Sequence, residues 1–112
     1  DLHALAQVLG LDVLTEVRDE EDVRRANSIG AGLVGINNRD LASFATDAAH
    51  AARLARTVRR GATVVALSGI AADDDVRRTL DAGITCLLVG EALLRAPDPA
   101  AVLQRWSALD AG

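Results

Sequence analysis

The sequence predicts an α/β fold in which four strands alternate with helices and form one parallel sheet. Four short runs rich in Val, Leu and Ile are nearly continuous, as expected for strands of a parallel sheet. Between these runs, apolar residues recur at helical spacing. Gly30, Gly61 and Gly83 each lie where a helix should end and a strand begin.

Each predicted element follows from this pattern in chain order. The predicted helices cover residues 2–9, 20–29, 47–59, 74–82 and 99–109, with a short apolar segment at 92–94, and the predicted strands cover residues 11–17, 33–37, 62–68 and 86–90. The acidic residues Asp73, Asp74 and Asp75 suit the positive end of a helix. Pro97 and Pro99 bracket Asp98 just before the last helix.

This series predicts a half barrel. Consecutive β/α units join parallel strands by right-handed crossovers. A TIM barrel uses about 250 residues for eight units, so four units need about 125. The 112 residues therefore suit a single domain, 1–112, built as a (βα)4 half of a TIM barrel with its helices outside. An open doubly wound sheet is the other fold that four such units could form.

The composition excludes several classes of partner and mechanism. Half of the residues are hydrophobic, so a core is feasible, and the net charge of −4 argues against nucleic acid or an anionic membrane as partner. No apolar run approaches the roughly 20 residues of a membrane span, and no signal peptide is apparent. We expect a cytoplasmic protein in which the single Cys86 is a small core residue of a buried strand. All twelve basic residues are Arg, which excludes a catalytic Lys on this chain.

The polar residues at the carboxyl ends of the predicted strands are the candidates for chemistry, because ligands of parallel α/β proteins bind there. Alternation places Leu14 and Glu16 on one face of the first strand. Glu16 is either a functional carboxylate or an exposed Glu paired with an Arg. Asn37 and Arg39 could orient a ligand and clamp an anion, although Asn-Asn-Arg-Asp is also good material for a turn.

Two glycine loops together predict a phosphate site. Ser68 and Gly69 follow the third strand, and Gly90 and Glu91 follow the fourth, where a short helix begins. Glycine lets an anion approach backbone N–H groups, and phosphate sites of barrels recur at the last two strands beside a short extra helix. Neither a metal-ligand cluster nor a Ser/His/Asp arrangement is evident, so we expect no metal and no cofactor.

Four stretches resemble indole-3-glycerol phosphate synthase. They lie at residues 11–17, 35–41, 68–70 and 88–95, in the family's order and spacing, and Gly-Ile-Asn-Asn-Arg-Asp-Leu at 35–41 is quite specific. The resemblance covers almost the whole chain and corresponds to the C-terminal half of that enzyme, strands five to eight of its barrel. The family closes the indole ring of a carboxyphenylamino-deoxyribulose phosphate in tryptophan synthesis, with loss of carbon dioxide and water.

The resemblance assigns roles to individual residues. It implies that Glu16 is the proton-transfer carboxylate and that Asn37 orients the substrate. Arg39 and Ser68 would lie at the substrate. The phosphate would be held by three further positions, Gly69, Gly90 and the amide of Glu91.

Two departures from the family argue against activity of the isolated chain. The family's essential lysines belong to the N-terminal half, and the family's usual Glu directly before the Ser is replaced by Leu67. An apolar residue at the mouth of the pore is better explained by packing against another surface. We therefore predict a half barrel that keeps a phosphate site without catalysing. The alternatives are a fragment that is active only with an N-terminal half, and a self-assembling interaction domain without ligand.

The predicted half barrel would also expose two sheet edges and an apolar inner face. Open edges invite strand pairing, and large apolar patches attract partners. We expect a homodimer, in which two copies complete an eight-stranded barrel or pack face to face.

Overall fold

The computed structural model describes residues 2–37, 48–67, 70 and 72–109. Six helices and four strands alternate along this part of the chain as the sequence predicts. In chain order they are α1 Leu2–Val8, β1 Thr15–Val17, α2 Glu20–Ser28, β2 Leu33–Ile36, α3 Ala48–Thr57, β3 Thr63–Ala66, α4 Asp73–Asp81, β4 Cys86–Leu87, α5 Glu91–Arg95 and α6 Pro99–Ser107.

The four strands form one parallel sheet in the order β1-β2-β3-β4. The strand order does not reverse, as it would in a doubly wound sheet, so the sequential order is that of a half TIM barrel. The register aligns Glu16 with Gly35, Gly35 with Val65, and Val65 with Cys86. These four residues therefore form one row on the same face of the sheet.

The hydrophobic core lies on the other face, between the sheet and its helices. The strands contribute Val17, Val34, Ile36 and Ala66, and Leu54 of α3 is fully buried against them. Further core residues come from α2 and from the turns that precede the strands: Val23, Ala26, Ala31 and Ile84. Every one of these side chains is aliphatic, as the composition requires.

The face that carries the row of four residues is the inner face of the half barrel. Leu14 is 41% exposed there and Leu88, one residue past β4, is 57% exposed. Cys86 is exposed as well, so the prediction of a buried core cysteine is wrong. The apolar character of its strand suggested cover on both sides, but Cys86 points to the face that no helix of the described residues covers.

The first strand is shorter than the predicted 11–17. Thr15 pairs with Val34, so the residues before Leu14 lie opposite the turn that leads into β2 and have no strand beside them. A capping aspartate, which was not predicted, and the predicted glycine define the two ends of α2. Asp19 accepts a 2.8 Å hydrogen bond from the Asp22 N–H at the start of α2, and Gly30 ends that helix with a φ of +69°.

Candidate active site

The carboxyl ends of β1 and β2 bring two predicted site residues together. The Asn37 N–H donates to the Val17 carbonyl at 3.0 Å, which extends the pairing of the two strands by one residue. The Asn37 side-chain N–H then donates to Glu16 Oε1 at 2.6 Å. This bond orients one carboxylate oxygen toward the neighbouring strand, while the Glu16 side chain stays 47% exposed. The carboxylate is therefore held at the carboxyl edge of the sheet and remains accessible from the inner face.

Glu16 has a second, looser neighbour in Arg18, whose Nε lies 4.0 Å from Glu16 Oε1. Both side chains are about half exposed, so this ion pair contributes little to stability. The sequence left open whether Glu16 is functional or simply paired with an Arg. The structure shows both contacts, and the shorter one is to Asn37.

His50 of α3 holds the loop that follows β1. Its Nε2 lies 2.8 Å from the Arg18 carbonyl oxygen, and its Nδ1 lies 3.0 Å from Arg53 Nη2. Because an Arg can only donate, Nδ1 accepts and Nε2 carries the proton that is donated to the carbonyl. Local sequence patterns carry no sign of this contact, because it joins residues 32 positions apart.

Leu67 follows β3 on the inner face, and its side chain lies directly over Gly35 of β2. A Cβ added at Gly35 would meet the Leu67 side chain at 2.6 Å. We expected Leu67 to pack against another surface, and the contact in the structure is with its own sheet. A glycine inside a strand often marks such a close approach, and that signal was present in the sequence.

The inner face is therefore divided into two parts at its carboxyl edge. The part formed by β1 and β2 is polar and carries Glu16 and Asn37. The part formed by β3 and β4 is apolar and carries Leu67 and Leu88. Where the resemblance leads one to expect a second carboxylate, this chain presents a hydrocarbon surface.

Gly90 and Glu91 lie where the phosphate site is predicted. Gly90 is exposed, and a Cβ built on it would meet no atom within 4 Å, so the space above its backbone is open. Glu91 begins α5 and its Oε1 lies 2.7 Å from Arg95 Nη2, which draws the carboxylate along the helix and away from Gly90. Leu94 N–H donates to the Gly90 carbonyl at 3.0 Å and closes the first turn of α5.

Three predicted site residues, Arg39, Ser68 and Gly69, lie outside the described residues. Within the ranges that the structure describes, no group of three His, Cys, Asp or Glu side chains is arranged to hold a metal ion. In the same ranges no helix is long and apolar enough to cross a membrane.

A second polar cluster joins α4 to α6, away from the inner face. Trp106 Nε1 donates to Asp73 Oδ1 at 2.8 Å, and Arg105 Nε donates to both carboxylate oxygens at 3.0 and 3.1 Å. The hydrogen bond from Trp106, followed by that from Arg105, holds the pKa of the Asp73 carboxyl below its ordinary value. The predicted macrodipole role of Asp73 thus omits its main partners, which come from 32 and 33 residues away.

These features define the class of the protein: a parallel β/α chain with half of a TIM-type sheet and a polar site at its carboxyl edge. Residues 1–106 match the model of the indole-3-glycerol phosphate synthase family. The chain belongs to that family, and it corresponds to the C-terminal part of its members.

Individual relatives agree with this assignment. The chain is 47% identical over 105 residues to the indole-3-glycerol phosphate synthase of Desulfosudis oleivorans, with 94% of this chain and 40% of that protein covered. It is 48% identical over 96 residues to indole-3-glycerol phosphate synthase 2 of Ralstonia nicotianae, with 86% and 36% covered. The chain thus spans about 40% or less of the length of these curated relatives.

Solved structures show the same fold. A chain of the BexX/CysO complex of Amycolatopsis orientalis superposes with a TM-score of 0.71 at 24% identity, covering 92% of this chain and 44% of that one. Mandelate oxidase with benzoyl-formic acid superposes with a TM-score of 0.64 at 28% identity, covering 87% of this chain and 31% of that one. In both, the match is to less than half of the longer protein.

Proposed function

We propose that this chain is the C-terminal half-site of an indole-3-glycerol phosphate synthase, which binds the phosphate of a ligand but does not close the indole ring by itself. The observation that carries the proposal is the hydrogen bond of 2.6 Å between Asn37 and Glu16 at the carboxyl edge of the sheet. Family membership supports tryptophan biosynthesis as the process to which the half-site belongs.

The role of Glu16 is proton transfer. Its carboxylate accepts from Asn37 with one oxygen, and its partial exposure leaves it accessible to a ligand. A carboxylate in this position can act as a general base or, once protonated, as an acid, which contributes about 10²- to 10⁴-fold to a rate. Asn37 holds the Glu16 side chain in one rotamer and also orients the substrate.

The role of the loop at Gly90 is phosphate binding. Open space above Gly90 lets an anion reach the backbone, and the N–H groups that begin α5 have no carbonyl of their own helix to bind. The ion pair of Glu91 with Arg95 keeps the carboxylate from repelling the anion. By resemblance to the family, we further propose Gly69 as a phosphate contact, Ser68 as a substrate contact, and Arg39 as a residue near the substrate.

The chain alone lacks the lysines that the family's reaction needs. It contains no Lys, and the essential lysines of the family belong to the N-terminal half. An Arg remains protonated at neutral pH, so none of the twelve can replace a lysine that exchanges protons. Leu67 further removes a carboxylate from the half-site.

The first experiment measures phosphate binding by the full chain. Inorganic phosphate is titrated into ¹⁵N-labelled protein, and the amide resonances of Gly90 and Glu91 are expected to shift and saturate. Gly90→Ala should weaken binding about tenfold or more, because the new Cβ occupies the approach to the backbone. Gly32→Ala is the matched control, since Gly32 is exposed, lies at the opposite end of β2 and also has open space above it. Equal binding by the two variants would reject the phosphate site.

The second experiment measures ring closure of the carboxyphenylamino-deoxyribulose phosphate. The chain alone is expected to give no indole product, and product formation by the chain alone would contradict the proposal. If co-expression with the N-terminal half of the Desulfosudis oleivorans relative produces activity, Glu16→Gln should lower it by about 10²- to 10⁴-fold. Glu21→Gln is the control, because Glu21 pairs with Arg25 on the surface of α2.

A further inference from the structure

The loop that joins β1 to α2 is short, and side chains from two helices hold its backbone. It consists of Arg18 and Asp19. The Arg18 N–H donates to Asp22 Oδ2 of α2 at 3.0 Å, and the Arg18 carbonyl accepts from His50 Nε2 of α3 at 2.8 Å. Loops at the end of a strand are ordinarily the more mobile part of a β/α unit, so these two bonds restrain a segment that would otherwise move.

The restrained backbone places the Arg18 side chain beside Glu16. Arg18 Nε lies 4.0 Å from Glu16 Oε1, the same oxygen that accepts from the Asn37 side chain at 2.6 Å. One of these neighbours follows β1 and the other follows β2. The orientation of the carboxylate is therefore set from two different segments of the chain.

The ion pair between Arg18 and Glu16 cannot hold this arrangement by itself. The two side chains are 58% and 47% exposed, and an exposed pair at this separation contributes little to stability. An Arg side chain also has many rotamers to lose when it is fixed in one place. The position of the guanidinium therefore depends on the backbone of Arg18, and His50 is the residue that ties this backbone to the neighbouring β/α unit.

His50 is itself held in the form that this contact requires. Its Nδ1 accepts from Arg53 Nη2 at 3.0 Å, which leaves the proton on Nε2 for donation to the Arg18 carbonyl. The helix that carries His50 is anchored by Leu54, whose side chain is fully buried against the sheet. A donor on a packed helix keeps its position better than one on a loop.

We propose that His50 is a positioning residue for Glu16 and acts through Arg18. By holding the loop after β1, it keeps the Arg18 guanidinium beside the carboxylate that Asn37 binds from the other side. This assignment deepens the proposed role of Glu16 in proton transfer and rests on it. Displacement of a reacting group by about 1 Å can cost roughly 100-fold in rate, so loss of the His50 contact should affect the chemical step.

NMR spectroscopy of the full chain tests these contacts without a need for activity. At about pH 8, where an ordinary imidazole is neutral, the ¹⁵N resonances of His50 are expected to show the Nε2–H tautomer. The Nδ1–H tautomer would overturn the proposal, because Nε2 could then not donate to the Arg18 carbonyl. This measurement uses the unmodified chain, so it decides even if a variant of His50 fails to fold.

Two variants of His50 then separate positioning from folding. His50→Ala should shift the Glu16 carboxyl ¹³C resonance and speed amide exchange at Arg18 about tenfold or more. His50→Gln should restore both, because its side-chain amide can donate to the same carbonyl. His3→Ala is the matched control, since His3 is the other histidine of the chain and lies on α1. Unchanged signals in His50→Ala, or equal changes in His3→Ala, would contradict the proposal.

Kinetics provide the last readout where co-expression with the N-terminal half of a relative gives activity. His50→Ala should lower kcat about 10- to 100-fold and change KM less than about twofold, and His50→Gln should recover most of kcat. A raised KM with unchanged kcat would overturn the positioning role. Absence of ring closure in the unmodified pair of halves would count against the proposed function, whereas the NMR results would still decide whether His50 holds Arg18 beside Glu16.

Discussion

The two faces of the four-stranded sheet differ although the same short strands form both. On the outer face Val17, Val34 and Ile36 are fully or almost fully buried beneath α2 and α3. On the inner face Leu14 and Leu88 remain exposed, and the polar pair of Glu16 and Asn37 lies at the carboxyl edge. Folding of this chain therefore depends on the outer face, while the inner face is the one to which we assign the proposed ligand site.

The strongest test of this difference compares one leucine from each face. Leu54→Ala removes a fully buried side chain and should lower the free energy of unfolding by about 2–5 kcal/mol. Leu88→Ala in dilute solution should change it by less than about 0.5 kcal/mol, because Leu88 is already largely exposed. Urea unfolding at two protein concentrations measures both. The cost of Leu88→Ala should grow with concentration if two copies associate, whereas that of Leu54→Ala should be large at either concentration.

A smaller effect is expected where Leu67 covers Gly35. Gly35→Ala should destabilise the chain by about 1 kcal/mol, the lower end of the range for overpacking, since Leu67 can turn toward the open inner face. Leu67→Ala in the same chain should relieve most of that cost, because the conflicting side chain is then absent. A double-mutant cycle by urea unfolding measures this coupling. Additive costs would contradict the direct contact.

Asp73 tests the contact between α4 and α6, whose contribution to stability is present at neutral pH and is lost in acid. Its folded-state pKa is below the ordinary 3.8, so its hydrogen bonds stabilise the fold fully above that pH, and this contribution is lost as the pH falls through the lowered pKa. Asp73→Asn should therefore flatten the acid limb of the thermal unfolding temperature, measured by circular dichroism. Asp74→Asn, at a neighbouring carboxylate that bonds only to Arg77 in the described contacts, is the control. An unchanged acid limb in Asp73→Asn would contradict the role of Trp106 and Arg105.

The smallest effect on stability is expected at Glu16. Glu16→Gln keeps an oxygen that can accept from Asn37, and the side chain is about half exposed, so the free energy of unfolding should change by less than about 0.5 kcal/mol. Chemical denaturation measures this change beside the loss of activity proposed above. A large destabilisation would mean that the pair serves folding and not chemistry.

The position of the candidate site could be predicted, although its function is untested, because it lies at strand ends. Glu16, Asn37 and Gly90 lie at or next to the end of an apolar run, and the carboxyl ends of parallel strands meet at one edge whatever the details of packing. The hydrogen bond between Glu16 and Asn37 could not be predicted, because it depends on the register of β1 against β2. The contacts of His50 with Arg18 and of Trp106 with Asp73 were missed for a similar reason, since each joins residues more than 30 positions apart.

Cys86 shows where periodicity misleads. A continuous apolar strand predicts cover on both faces, yet the structure covers only one face of β4. The same run of residues is compatible with a buried strand in a closed barrel and with an exposed one in an open half. Burial is a property of what lies across the sheet, and a strand's own residues do not contain that information.

The sequence by itself determined the order of helices and strands, the parallel sheet and the family, because local spacing, helix caps and glycine turns are readable one segment at a time. Only the tertiary structure decided which face is buried, how Glu16 meets Asn37 and why position 35 is a glycine. Those features depend on register and on distances between strands. Both are set by the packing of α2 and α3 against the outer face, where the burial of apolar side chains stabilises one alignment over its neighbours.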